Sequence, residues 1–234
     1  GGACHTIRGT AAMATIGPDL THVGGRRSIA AATLPNQSDA IARWIAEPFR
    51  LFDCSRENDG AAAFLMVSAE RARDLKKPPV YLLGCANGAE KGWGDLLEND
   101  DEQLYPTAGF RSIARRLYAE TGLTPADIDV VQLYENFSAQ GVASLIDHGF
   151  CTYENVTEVV RFDNLVAPTG KLPINTGGGN FAQGFIHGIG TAYEAVKQLR
   201  GESANPVPDA KICLLAGGPG APTVSSAIFG NEAP

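Results

Sequence analysis

Lys171–Arg200, KLPINTGGGNFAQGFIHGIGTAYEAVKQLR, decides how this chain is read. Leu172–Asn175 is a short apolar run suited to the end of a buried strand. Gly177, Gly178 and Gly179 then remove three side chains in succession, so the backbone is free to take positive φ or to approach another group closely. Beyond them Ile189, Ala192, Val196 and Leu199 recur at helical spacing and predict one buried helix face. Gly201, just past Lys197 and Arg200, marks the helix end. A strand that runs through glycines into a helix aims backbone N–H groups at a space that fits an anion or a polarised carbonyl. A tight turn without a ligand carries the same signature, and the glycines alone do not choose between the two.

Outward from this stretch, strands and helices alternate. Val80–Cys85 predicts a strand. Phe110, Ile113, Ala114, Leu117 and Tyr118 form a helical face that stops at Gly122. Ile128, Val130 and Val131 lead a strand into Leu133-Tyr134-Glu135-Asn136-Phe137. Ser138–Asp147 predicts a helix with Val142, Leu145 and Ile146 inward and Gly149 at its end. After an irregular stretch from Cys151 to Gly170 comes the glycine motif, and Lys211–Leu215 and Val224–Phe229 finish the chain as strands. The order βαβαβαββ predicts an α/β fold, with a mostly parallel five-stranded sheet and helices on both faces. Ligands in such folds bind beyond the carboxyl ends of strands. Tyr134, the glycine triplet and Gly217 all fall at such ends. Asn87–Pro106, with Glu98, Asp100, Asp101 and Glu102, reads as a solvated loop or lid rather than a metal site.

The composition excludes several function classes. In 234 residues, 44% are hydrophobic and 19% charged, the profile of a globular protein. A net charge of -7 argues against nucleic acid as a main partner. No apolar run approaches the roughly 20 residues of a membrane span, and nothing at Gly1 reads as a secretory leader. Cys4, Cys54, Cys85, Cys151 and Cys213 are scattered, odd in number and without metal spacing, which predicts reduced thiols in a cytoplasmic protein.

Three motifs carry a family resemblance. Asn175-Thr176-Gly177-Gly178-Gly179, followed by Gly184 and Gly188, is similar to the NxxGGxxxxGHPxG loop of thiolases. Leu133–Phe137 is similar to their NEAF-type loop, and Ala216-Gly217-Gly218-Pro219-Gly220 to their C-terminal glycine loop. With these motifs in this order, the chain most resembles the thiolase-like lipid-transfer proteins, related to sterol carrier protein thiolases, whose members include steroid side-chain aldolases. The resemblance covers roughly Pro48 to Pro234. It implies that 48–76 is the end of a thiolase N-terminal half and 77–234 a C-terminal domain, with Asp59–Val67 a strand buried in a sheet. It also implies an acyl-CoA substrate, acyl transfer or retro-aldol cleavage, no further cofactor, a homodimer and, in some aldolases, a small OB-fold partner.

The match departs from the family at the reacting groups. Phe185 stands at the position of the thiolase His, with His187 two residues later. Leu214 stands at the second Cys, with Cys213 one residue earlier and therefore on the opposite face of a strand. A cysteine acyl-enzyme is not expected. Tyr134 takes the place of the NEAF-type Asn or His, and the aldolase-like relatives imply a proton-transfer role for a Tyr there. Tyr134 and His187 are the candidate proton-moving groups. Glu135, Asn175, Gly178, Gly179, Gly217 and Gly218 are the candidate substrate-binding positions. Tyr134 reads equally as a buried phenol that merely hydrogen-bonds, and Glu135 as a structural bond to the loop backbone.

Residues 1–47 have another character. Cys4-His5 and the loop Gly17-Pro18, followed by a helix capped by Ser38 with Ile41, Trp44 and Ile45 on one face, resemble a truncated cytochrome c domain of cytochrome c oxidase subunit II. The resemblance implies Cys4 as a haem c thioether and His5 as an iron ligand. Gly1 stands where the first Cys of CxxCH belongs, and no distal Met follows Trp44. A haem-binding electron-transfer protein and a non-catalytic acyl-CoA or lipid-binding module are the alternative functions.

Overall fold

The computed structural model describes residues 53–55, 58–89, 107–219 and 223–233, and the backbone of two short strands, β1 (Ser28–Ile29) and β2 (Leu34–Pro35). Then follow α1 (Ala69–Ala72), β3 (Tyr81–Gly88), α2 (Arg111–Thr121), a 3-10 turn (Pro125–Asp127), β4 (Val130–Leu133) and α3 (Ser138–Asp147). Two single-turn helices, α4 (Val156–Val159) and α5 (Phe162–Leu165), lie in the stretch read as irregular. The chain ends with α6 (Gly179–Ala182), α7 (Ile189–Leu199), β5 (Ile212–Gly217) and β6 (Val224–Gly230). The three glycines read as helix stops, Gly122, Gly149 and Gly201, all take left-handed φ, at 70°, 80° and 67°.

The main sheet has four strands in the order β3-β6-β5-β4. This corrects the expected five-stranded, mostly parallel sheet: β4 and β5 are parallel, but β5–β6 and β3–β6 are antiparallel. The link from β5 to β6 is too short for the crossover that parallel neighbours require. The expected fifth strand, Leu172–Asn175, makes a single bridge, Val131 to Ile174. Pro173 has no N–H for a ladder. The Asn175 side chain then takes the Leu133 N–H at 2.6 Å, and Asn175 turns to φ 45°, which ends the pairing.

Alternate residues of the strands face two layers, as the side-chain period of a strand requires. Val131, Leu133, Leu214, Ala216 and Ile228 pack with Ile113 and Leu117 of α2 and Leu145 of α3. Val130 and Cys213 pack with Ala195 and Leu199 of α7 on the other side. Helices on both faces and the opposed directions of Cys213 and Leu214 therefore stand as read. Asp147, at the end of α3, fastens the start of α2. Its carboxylate accepts the N–H groups of Ala108 (2.8 Å) and Phe110 (3.1 Å), the Thr107 hydroxyl and the Arg111 Nε.

One expectation for the N-terminal part changes. Asp59–Val67 forms no strand, and Phe64, Leu65 and Met66 are 43%, 78% and 78% exposed. A strand buried on both faces needs neighbours, and none pairs with this run among the described residues. In 1–47 the described backbone is the antiparallel pair β1–β2. The helix after Ser38, Cys4 and His5 lie outside the described residues, as do residues 90–106 of the expected lid. Among the described residues no helix is long and apolar enough to cross a membrane.

Candidate active site

The site lies at the carboxyl ends of β4 and β5. The Tyr134 N–H donates to the Ala216 carbonyl at 2.8 Å, so the residue just after β4 is still held by the sheet. Its ring packs on the backbone of Gly188, where a Cβ would stand 2.6 Å from Tyr134 Cδ2. Gly188 also has φ 79°. A side chain there meets both a steric and a conformational penalty. Gly188 opens α7, and His187 before it is exposed with φ 53°.

This turn brings His187 Nδ1 to 3.4 Å from Tyr134 Oη. Phe185, the residue in place of the thiolase His, packs against both rings. Its centroid lies 5.6 Å from Tyr134, edge-on, and 4.9 Å from His187. Tyr134, His187, Gly217 and Gly218 line one hollow of about 1060 Å³, with Cys85 and Arg116 also on its wall. His187 lines a second hollow of about 320 Å³ as well, with Asn58, Gly60 and Phe185.

Glu135, Asn175, Gly178 and Gly179 do not line the large hollow; they form the support behind Tyr134. Glu135 Oε1 accepts the Asn180 N–H at 2.7 Å and the Phe181 N–H at 3.4 Å. A Cβ on Gly179 would collide with Glu135 Oε1, so the glycine lets the carboxylate reach the turn. Burial raises the Glu135 carboxyl from 4.5 to about 7 against the opposing effect of those N–H bonds. Burial, and then the Glu135 charge, also raise the Tyr134 phenol. Tyr134 is therefore a protonated donor near neutral pH.

Other residues acquire roles that the sequence left open. His148, the C-cap of α3, bonds the Ser144 carbonyl through Nδ1 at 2.7 Å. It also reaches across to the Ser226 hydroxyl of β6 at 2.8 Å through Nε2. Since Nδ1 faces a carbonyl, it carries the proton, and Nε2 accepts from Ser226. Burial lowers the His148 pKa from 6.5 to about 4, which keeps the ring neutral. Glu194 and Thr176 form a second buried polar group under the glycine turn, their side chains 2.9 Å apart. Neither contact leaves a local sequence signal, because each joins residues far apart in the chain or unmarked by spacing. Cys151 is a core thiol and Cys85 an exposed one on β3.

A family model described as thiolase C-terminal domain-like matches residues 95–231. The chain is 39% identical over 189 residues to the 17-hydroxy-3-oxo-4-pregnene-20-carboxyl-CoA lyase of Mycobacterium tuberculosis, covering 81% of this chain and 48% of the relative. It is 36% identical to the steroid side-chain-cleaving aldolase of Thermomonospora curvata, covering 82% and 48% respectively. Among solved structures, the Ltp2-ChsH2(DUF35) aldolase matches with a TM-score of 0.71 at 33% identity, over 80% of this chain and 49% of that chain. The chain thus spans about half the length of these relatives.

Proposed function

The chain belongs to the thiolase C-terminal domain-like family, and on that premise we propose that it supplies the proton-moving half of an acyl-CoA lyase active on steroid side chains. The Tyr134–His187 pair, at 3.4 Å on the wall of the large hollow, carries this reading. The relatives named as a carboxyl-CoA lyase and a side-chain-cleaving aldolase favour retro-aldol cleavage over acyl transfer.

The reaction needs one proton removed and one delivered. His187 takes the proton of the β-hydroxyl group. The electron pair of that O–H bond becomes the carbonyl bond of the departing ketone as the Cα–Cβ bond breaks. The pair from the broken bond forms the thioester enolate, whose oxygen faces the backbone at Gly217 and Gly218. Tyr134, which burial keeps protonated, then delivers a proton to Cα. His187 returns its proton to Tyr134, and a ketone and a shortened acyl-CoA leave. No water or redox partner is consumed. The partner by analogy is a small protein of the DUF35 class, as in the solved aldolase, and a second thiolase-fold half and a homodimer belong to the same proposal.

The test is turnover of a steroid β-hydroxyacyl-CoA, with ketone and acyl-CoA release followed by mass spectrometry in the presence of a DUF35-class partner. Tyr134→Phe is expected to lower kcat by roughly 100-fold or more, with KM little changed. Unchanged turnover removes Tyr134 from the mechanism.

A further inference from the structure

The two groups of the proposed site sit on different supports. Tyr134 is fixed by a strand end. His187 is on a turn in which Gly184, His187 and Gly188 have φ of 149°, 53° and 79°, so no regular element sets its position. Within that turn the backbone bonds are local and long, Ile186 N–H to Gly184 at 3.2 Å and Ile189 N–H to Ile186 at 3.3 Å. Its ring also has two spaces open to it, because His187 lines both the large hollow and the small one.

A contact from a distant part of the chain also holds this turn. The Phe185 N–H donates to the Asn58 side-chain Oδ1 at 2.5 Å, across 127 positions of sequence. Asn58 Nδ2 lies against Gly184, where a Cβ would stand 2.5 Å away, and Gly60 lies against Ile186, where a Cβ would stand 2.6 Å from Cγ2. Residues just before Asn58 hold the other loop of the site. Cys54 bridges Phe137, the Ser55 N–H donates to the Asn136 carbonyl at 3.0 Å, and the Ser138 hydroxyl donates to Asp53 at 2.8 Å. A single short stretch therefore touches both the loop after Tyr134 and the turn before His187.

We propose that Asn58 is a positioning residue whose amide oxygen pins the Phe185–His187 turn and keeps the imidazole in the large hollow, within reach of Tyr134. Without the pin, the ring is free to enter the small hollow and the pair separates. A displacement of about 1 Å at a reacting group costs on the order of 100-fold in rate. Asn58 touches no reacting atom in this account; it acts through the turn.

The experiment compares Asn58→Leu, which keeps the shape and removes the acceptor, with Asn58→Asp, which keeps the acceptor. Two readouts are used on the full chain. The first is the cross-relaxation between Tyr134 and His187 ring protons in a protein labelled at Tyr and His. It is expected to vanish in Asn58→Leu and persist in Asn58→Asp. The second is steroid acyl-CoA cleavage with the partner present. Asn58→Leu is expected to lower kcat by roughly 100-fold at a KM within about threefold, and Asn58→Asp to recover most of it. Asn58→Gln, which moves the oxygen by one methylene, gives an intermediate loss and serves if Asn58→Leu does not fold. The kinetic readout rests on the lyase reading above, whereas the cross-relaxation does not. Absence of turnover in the parent protein sinks the lyase reading and leaves the pin to be decided by the spectra. Retention of the Tyr134–His187 signal in Asn58→Leu, or its equal loss in Asn58→Asp, overturns the pin.

Discussion

Two apolar runs in this chain have the same kind of sequence and opposite fates. Val130–Leu133 is a strand with all four residues buried, paired to β5 and covered from both sides. Ala61–Val67 is longer and as apolar, yet it has no strand partner among the described residues and leaves Leu65 and Met66 mostly exposed. Propensity leans the same way, since Val130 and Val131 favour strands more than Ala61, Ala62 and Ala63 do. A neighbour separates them further: β4 has β5 beside it and helices above and below, and among the described residues the other run pairs with no strand. A pleated surface is stable when half or more of it is buried, and the partner supplies that burial.

The sharpest way to break this contrast is to place a charge in each run. Leu133→Asp is expected to cost roughly 4 kcal/mol or more, because an unpaired carboxylate is buried between strand and helices. Leu65→Asp is expected to stay within about 0.5 kcal/mol. Urea unfolding of each variant measures both, and a large loss in Leu65→Asp would show that the run is covered in solution.

Acid titration sharpens the contrast further, since two opposed groups sit on the sheet side. Glu135 has its folded pKa raised from 4.5 to about 7, so its contribution is full below pH 4.5 and is lost as pH rises through 7. His148 has its folded pKa lowered from 6.5 to about 4, so its contribution is full above pH 6.5 and is lost as pH falls through 4. Between about pH 4.5 and 6.5 the two slopes oppose each other. Glu135→Gln is expected to unmask stability that rises with pH across this window, by roughly 3 kcal/mol, and His148→Gln a fall of similar size. Asp147, also raised by burial, slopes with Glu135 and is present in both variants. Chemical unfolding at stepped pH reads the three curves, and parallel curves would refute the assignment.

Smaller effects lie at the margins of the sheet region. Gly188→Ala is expected to cost about 1–2 kcal/mol, through its positive φ and its clash with Tyr134. A shift of the Tyr134 ring resonances accompanies it. Lys77→Ala removes the exposed 2.9 Å pair with Glu202, which ties the stretch beyond the unpaired run to the end of α7. It is expected to leave the urea midpoint unchanged.

What the sequence makes legible follows the range of each interaction. Helix stops at Gly122, Gly149 and Gly201 and the opposed directions of Cys213 and Leu214 are local, and they stand, whereas α7 buries Thr191, Glu194, Ala195, Gln198 and Leu199 rather than the expected face of Ile189, Ala192, Val196 and Leu199, of which only Leu199 is shared. The antiparallel placement of β3 beside β6 depends on pairing across more than a hundred residues, and alternation of strands and helices does not encode it. Pro173 and Asn175 are visible, but their joint effect, one bridge instead of a strand, needs the position of Leu133. The motifs single out Tyr134 and His187, and the structure sets them 3.4 Å apart on one hollow. The retreat of Glu135 and Gly179 behind the hollow is not legible in the motifs, because it depends on which way a carboxylate turns to meet the Asn180 N–H.

The strand alternation has a practical consequence for the thiols. Cys213 is sealed in the layer under α7, and burial holds its proton firmly, while Cys85 stands open on the wall of the large hollow. A maleimide dye added to the native chain should therefore attach at Cys85 within the time of mixing and be slowed by a molecule filling the hollow. Attachment at Cys213 waits until β5 leaves the sheet. The two labelling rates give a tracer of occupancy and a clock of global opening in one sample.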